Sequence, residues 1–150
     1  MKYYAYELAK KTIQGICRDA ADGKYDTREK FMGMLAQNPH IAVQGYNAFG
    51  KIFYWNDASI DVYGYREEDA VNSDLIELLL PPGMQPFARD AVQAARKTKR
   101  MPAPGPCDLI RVSQEVVTVY SGHVVFFWEN NTTPEFYCLD LPLESKPAQR

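Results

Sequence analysis

Residues 49–69 read FGKIFYWNDASIDVYGYREED, and their interpretation decides the architecture. Asn47-Ala48-Phe49-Gly50 reads as a tight turn that joins two strands, one around Ile41 and Val43 and one over 51–55. Side chains alternate along a strand, so Ile52 and Tyr54 are expected on one face and Phe53 and Trp55 on the other. Both faces of this strand are then apolar, and both require a cover. Asn56 caps a short helix with Asp57 in its first turn, Gly64 stops it after Tyr63, and Arg66-Glu67-Glu68-Asp69 opens another acidic-first turn.

Upstream, Tyr6, Ala9, Ile13, Ile16 and Ala20 recur at steps of three and four, which predicts an amphipathic helix ending near Gly23. A second helix is expected from Thr27, capped by Asp26 with Glu29 completing a capping box, and presenting Phe31, Met34 and Leu35. Asn38-Pro39 closes this helical arm. Downstream, 75–80 is an apolar run that stops at Pro81-Pro82-Gly83, and 86–100 predicts a longer helix lined by Phe87, Ala91, Ala94 and Ala95. Three strands follow at 107–112, 116–128 and 134–141, with Gly122 a possible bend in the longest and a turn at 130–133. Along 116–128, Val117, Val119, Val125 and Phe127 compete with Val116, Tyr120, Val124 and Phe126 for the inward face.

The economical packing is α+β: a five-stranded antiparallel sheet with short helices on one face and an N-terminal helical cap on the other. The expected division is an arm at 1–37, a domain at 38–143 and a flexible tail at 144–150. A chain of 150 residues, 46 % apolar and 13 % aromatic, has enough material for one core without disulfides or metal. Its net charge of -2 argues against a nucleic-acid partner, and no stretch approaches the apolar length that spans a bilayer. The opening MKYYAYELAKK lacks a signal-peptide core, and Cys17, Cys107 and Cys138 lie far apart, so a cytoplasmic setting with reduced thiols is expected.

These residues name a family. Phe49-Gly50-Lys51-Ile52-Phe53-Tyr54-Trp55-Asn56, then Ala58 and Tyr63-Gly64-Tyr65-Arg66-Glu67-Glu68, resemble the G-x-I-x-Y-x-N … A … L-G-Y-x-x-E-E signature of PAS domains. Phe136-Tyr137-Cys138-Leu139-Asp140-Leu141 is similar to the final PAS strand, which usually ends Asp-Ile-Thr; here Pro142 stands in place of the Thr. Asn47 replaces the usual Asp at the first turn, and its amide can make the same local hydrogen bond. The likeness covers about 38–143. It implies a sensory module whose N-terminal helix packs on the outer sheet face and forms a homodimer contact. The short polar stretch 144–150 is not expected to form an output helix, and the expectation is either an excised sensor or a small protein signalling through a partner.

The expected pocket, for a small apolar or aromatic ligand, draws on Val43, Ile52, Tyr54, Tyr65, Leu79, Phe87, Ala91, Ile110, Val119 and Cys138. The expected cap and dimer interface draws on Tyr6, Ala9, Ile13, Ile16, Phe31, Leu35, Phe53 and Trp55. Cofactor identity is left open. Haem-binding members carry a histidine on the long helix, and 84–99 has none; photosensing flavin members carry Asn-Cys-Arg-Phe where this chain has Asn72-Ser73-Asp74-Leu75. Neither haem nor covalent flavin is expected, and Cys138 falls near the position where those flavin domains face the chromophore with glutamine. His40 and His123 form no catalytic or metal-ligand spacing with the cysteines and carboxylates, so no catalytic residue and no metal is expected. The alternatives are an interaction module with a filled core and a small-molecule enzyme on an α+β scaffold.

Overall fold

The computed structural model describes residues 1–130 and 132–144; the expected tail lies outside the described residues from 145 onward, as does one position of the expected turn at 130–133. Helices α1 (Tyr6–Ala21) and α2 (Arg28–Ala36) precede strands β1 (Ala42–Tyr46) and β2 (Ile52–Trp55). Short helices α3 (Asp57–Tyr63), α4 (Glu67–Ala70) and α5 (Leu75–Leu79) lead through a 3-10 turn (Pro82–Met84) to α6 (Gln85–Thr98), and β3 (Gly105–Ile110), β4 (Val116–Phe126) and β5 (Glu135–Pro142) complete the chain. The strands form one antiparallel sheet in the order β2-β1-β5-β4-β3. This is the expected α+β arrangement.

Local chemistry sets the element ends. The Asn56 amide oxygen accepts the Ser59 N–H at 3.0 Å as an N-cap, and Gly64 closes α3 at φ 84°. Asn47 accepts the N–H groups of Phe49 and Lys51 at 2.9 and 3.0 Å, so the amide does the work of the usual aspartate in the β1–β2 turn. The cap of α2 is Thr27 rather than Asp26: the Thr27 hydroxyl accepts the Lys30 N–H at 3.3 Å, while Asp26 pairs with the Lys30 ammonium at 2.7 Å.

Two cores lie on opposite faces of the sheet. On the outer face, Ala9, Ile13 and Ile16 of α1 and Phe31 and Leu35 of α2 pack with Val43, Tyr120, Val124, Phe126, Tyr137 and Leu139. The Phe31 ring sits 4.8 Å from both Phe126 and Tyr137, and Phe126 stacks on Trp128 at 4.2 Å. Tyr6 packs edge-on against Tyr120, and the backbone of Tyr4 is bonded to Pro142 and Glu144. The arm is thus tied to its own sheet. On the inner face, α3 to α6 cover Ala42, Tyr46, Ile52, Trp55, Val117, Val119, Phe136 and Cys138. This settles β4: Val117, Val119 and Val125 face the helices, and Tyr120, Val124 and Phe126 face the arm.

The alternation expected for β2 breaks at a bulge. Tyr46 pairs with Ile52 and Gly45 with Tyr54, so Phe53 is an extra residue opposite the step from Gly45 to Tyr46. An extra residue shifts the faces beyond it. Trp55, expected on the arm side, is therefore buried with Ile52 on the helix side, and Tyr54, expected in the pocket, turns to Tyr137 on the arm side. Phe53 lies on the outer face as expected, touching Tyr137 edge-on, but β2 is at the sheet edge beyond the arm and the ring is 43 % exposed. Gly45 makes the bulge possible, because a Cβ there would lie 2.8 Å from the Tyr137 ring and 2.9 Å from Tyr54 Cβ.

Gly122 does not interrupt its strand, which runs unbroken through it. It sits under α1, where a Cβ would lie 2.5 Å from Ile13 Cγ2 and 2.7 Å from Cys17 Sγ, so glycine lets the arm approach the sheet closely.

Candidate ligand cavity

Between α5, α6 and the inner sheet face the packing leaves a cavity of about 210 Å³. Its walls are apolar, with Leu75, Leu79, Ala91, Val92, Met101 and Leu109 among them, and Phe87 stands at its rim, 76 % exposed. Helix α6 buries Val92 and Ala95, so Phe87 is spared for the mouth while Ala94 faces solvent.

The floor differs. Alternation along β4 continues from Val117 and Val119 to Ser121 and His123; along β5 it gives Cys138 and Asp140, and along β1 Gln44. Asp140 is fully buried and accepts hydrogen bonds from the Tyr63 hydroxyl at 2.5 Å and the Ser121 hydroxyl at 2.5 Å. Gln44 donates to the Ser59 hydroxyl at 3.0 Å, and Ser59 donates to the Val43 carbonyl at 3.0 Å, which ties α3 to β1. His123 Nδ1 lies 3.5 Å from Cys138 Sγ. Every described buried side-chain nitrogen and oxygen has a partner.

Burial shapes the charges of this floor. It pushes the Asp140 carboxyl up to about 6, against hydrogen bonds from Ser121, Tyr63 and Gln44 that favour the ionised form. It pulls the His123 imidazole down to about 4. It raises Cys107 to about 12 and Cys138 well above the ordinary thiol value, so both are protonated, poor nucleophiles at neutral pH. Among the described residues no three histidines, cysteines or carboxylates are disposed to hold a metal.

Of the residues expected in the pocket, Leu79, Phe87, Ala91 and Cys138 line this cavity. Ile52 and Val119 belong to the same inner core without reaching it, and Tyr65 packs at its edge, where its carbonyl accepts the Trp55 indole N–H at 3.0 Å. Val43 and Tyr54 lie on the arm side instead. Ile110 is displaced by one register position: Leu109 points inward opposite Val117, so Ile110 points outward. Gln44, Ser121, His123 and Asp140 were not anticipated. The available signal was period-two spacing of Ser121 and His123 with Val117 and Val119, masked by the equal apolarity of the opposite face.

The model of the PAS fold matches residues 34–103, from the end of the arm through α6. The chain has the PAS fold. Its structure is similar to that of a PAS domain from Colwellia psychrerythraea, with a TM-score of 0.63 and 17 % identity over 78 % of this chain and 98 % of that one. The PAS domain of Bordetella pertussis BvgS follows, with a TM-score of 0.60 and 12 % identity over 79 % of this chain and 88 % of that one. The PAS domain of the Cronobacter turicensis quorum-sensing receptor RpfR, in complex with C12:0, has a TM-score of 0.51 and 13 % identity over 69 % of this chain and 93 % of that one. No curated protein matches the chain. In this fold the β3, β4 and β5 strands lie entirely beyond the matched segment, and they supply most of the polar floor.

Proposed function

We propose that this PAS domain is a sensory module, not an enzyme, which takes up a small, mainly apolar molecule in the cavity and passes its occupancy through the sheet to the arm. The supporting observation is the cavity itself: an apolar space of about 210 Å³ between α5, α6 and the sheet is large enough for a small organic guest. RpfR, whose PAS domain has been seen with C12:0, supports ligand uptake by this fold. Strand β5 offers a route for the signal, because Cys138 and Asp140 face the cavity while Tyr137, Leu139 and Leu141 face the arm. A guest shifts the arm only if it prefers one packing over another.

The residues expected to join two copies, Tyr6, Ala9, Ile13, Ile16, Phe31 and Leu35, are engaged with the chain's own sheet. A homodimer through the arm would use its outer side, where Leu8 is 55 % and Tyr3 48 % exposed. Its output passes to a partner protein or a further domain. Three free thiols support a reducing, cytoplasmic setting, and no helix among the described residues is long and apolar enough to cross a membrane.

Native mass spectrometry of the purified protein tests uptake, alongside the cavity-filling variant Ala91→Trp. A bound mass that denaturation releases and Ala91→Trp lacks is the expected result; visible colour in the same sample would mark a chromophore. No bound mass, and no response of cavity resonances to a fragment collection, would instead assign the module to protein interaction alone. Sedimentation of Leu8→Glu against the parent reports whether the arm joins two copies.

A further inference from the structure

Resting on the reading that the cavity takes a guest, we infer that it selects this guest by charge, favouring a small organic cation, an ammonium group on an apolar body, over a carboxylate of the same size. Among the residues that line the cavity Asp140 carries the only formal charge, and no lysine or arginine lies within 4 Å of it among the described residues. Its two oxygens are met by hydroxyls, which orient and hydrogen-bond the carboxylate without neutralising it. On α6, Arg89 is engaged with Asp74 at 3.4 Å and Glu77 at 3.6 Å.

A buried carboxylate without a counter-ion leaves a negative field in the low-dielectric space above it. Asp140 has no free surface, so it acts through that field, while neutral His123 and the thiols of Cys107 and Cys138 offer lone pairs to a donor head group. An anion meets repulsion and no compensating donor of positive charge. The volume corresponds to about seven water-sized units, which sets the size of the body.

The test compares hexylamine, hexan-1-ol and hexanoate by calorimetry at pH 8, with backbone amide shifts at Leu79 and Ala91 locating each guest. Hexylamine is expected to bind about tenfold or more tightly than hexan-1-ol, and hexanoate most weakly. In Asp140→Asn the amine and the alcohol should converge. Should that variant not fold, the parent at pH 5 serves instead. The groups facing Asp140 are Tyr63 on α3, Gln44 and Tyr46 on β1, Cys107 on β3, Ser121 and His123 on β4, and Cys138 on β5, and of these none changes charge between pH 8 and 5. The amine's lead over the alcohol therefore shrinks as Asp140 takes its proton. Hexanoate binding as tightly as hexan-1-ol, or an amine lead that persists both in Asp140→Asn and at pH 5, would overturn charge selection and leave ligand uptake standing. If none of the three perturbs the cavity, uptake fails and the selection falls with it.

Discussion

On the arm side of the sheet Phe31, Phe126, Trp128 and Tyr137 meet ring to ring, whereas on the helix side the same strands present Gln44, Ser121, His123 and Asp140 beneath a cavity. The first face is closed by α1 and α2, and the second by three short helices and α6, which leave a cavity between α5, α6 and the sheet. One face holds the fold together, and the other keeps room for chemistry. The contrast predicts unequal responses to the same truncation. Phe31→Ala removes a fully buried ring that touches four others and should cost about 3–5 kcal/mol in urea unfolding. Leu79→Ala merely enlarges an existing space and should fall toward the lower end of the roughly 2–5 kcal/mol seen for such changes. Equal losses would mean that the helix side is as tightly packed as the arm side.

Acid titration probes the polar face through Asp140 and His123. The folded state binds a proton on Asp140 below about 6, and the unfolded state only near 3.8, so this group stabilises the fold as pH falls from 6 to 4. His123 does the reverse: the unfolded chain takes its proton near 6.5 and the folded state only near 4, so stability is lost over that range. The two trends oppose each other in the parent. Asp140→Asn should therefore become acid-labile between pH 6.5 and 4, and His123→Gln should grow more stable between pH 6 and 4. Each swing is up to about 3 kcal/mol, smaller for the half-buried His123. Parallel pH profiles for parent and Asp140→Asn would show that Asp140 titrates as it does in the unfolded chain.

Close approach of the arm is a smaller lever. Gly122→Ala sets a methyl group against Ile13 Cγ2 and Cys17 Sγ, and should cost about 1–3 kcal/mol with α1 displaced, read as faster amide exchange in α1. An unchanged exchange pattern would show that α1 repacks without moving.

The fold was legible because its signals are local and redundant. Steps of three and four in the arm, Asn56 and Gly64 at the ends of α3, and Asn47 in the turn each specify a geometry by their own chemistry. Placement of side chains on the two faces was less legible. An apolar residue at every position of 52–55 gives no sign of the bulge at Phe53, which depends on Gly45 across the ladder. The same one-step ambiguity exchanged Leu109 for Ile110. Asp140 was read within the closing strand motif, and only the register of β5 against β4 sets it beside Ser121 at the cavity floor.

Phe87 tests the mouth of the cavity and should move stability least. Its ring is mostly in water, so Phe87→Ala removes little buried area, and unfolding should shift by no more than about 0.5 kcal/mol. Its position at the rim nevertheless lets it cover an apolar guest, and covering slows escape more than entry. The variant should therefore release hexylamine faster with an association rate close to the parent's, measurable by exchange-resolved amide shifts. A stability loss matching that of Leu79→Ala would place the ring inside the helix-side core in solution, and the two faces of the sheet would then be more alike than their packing here indicates.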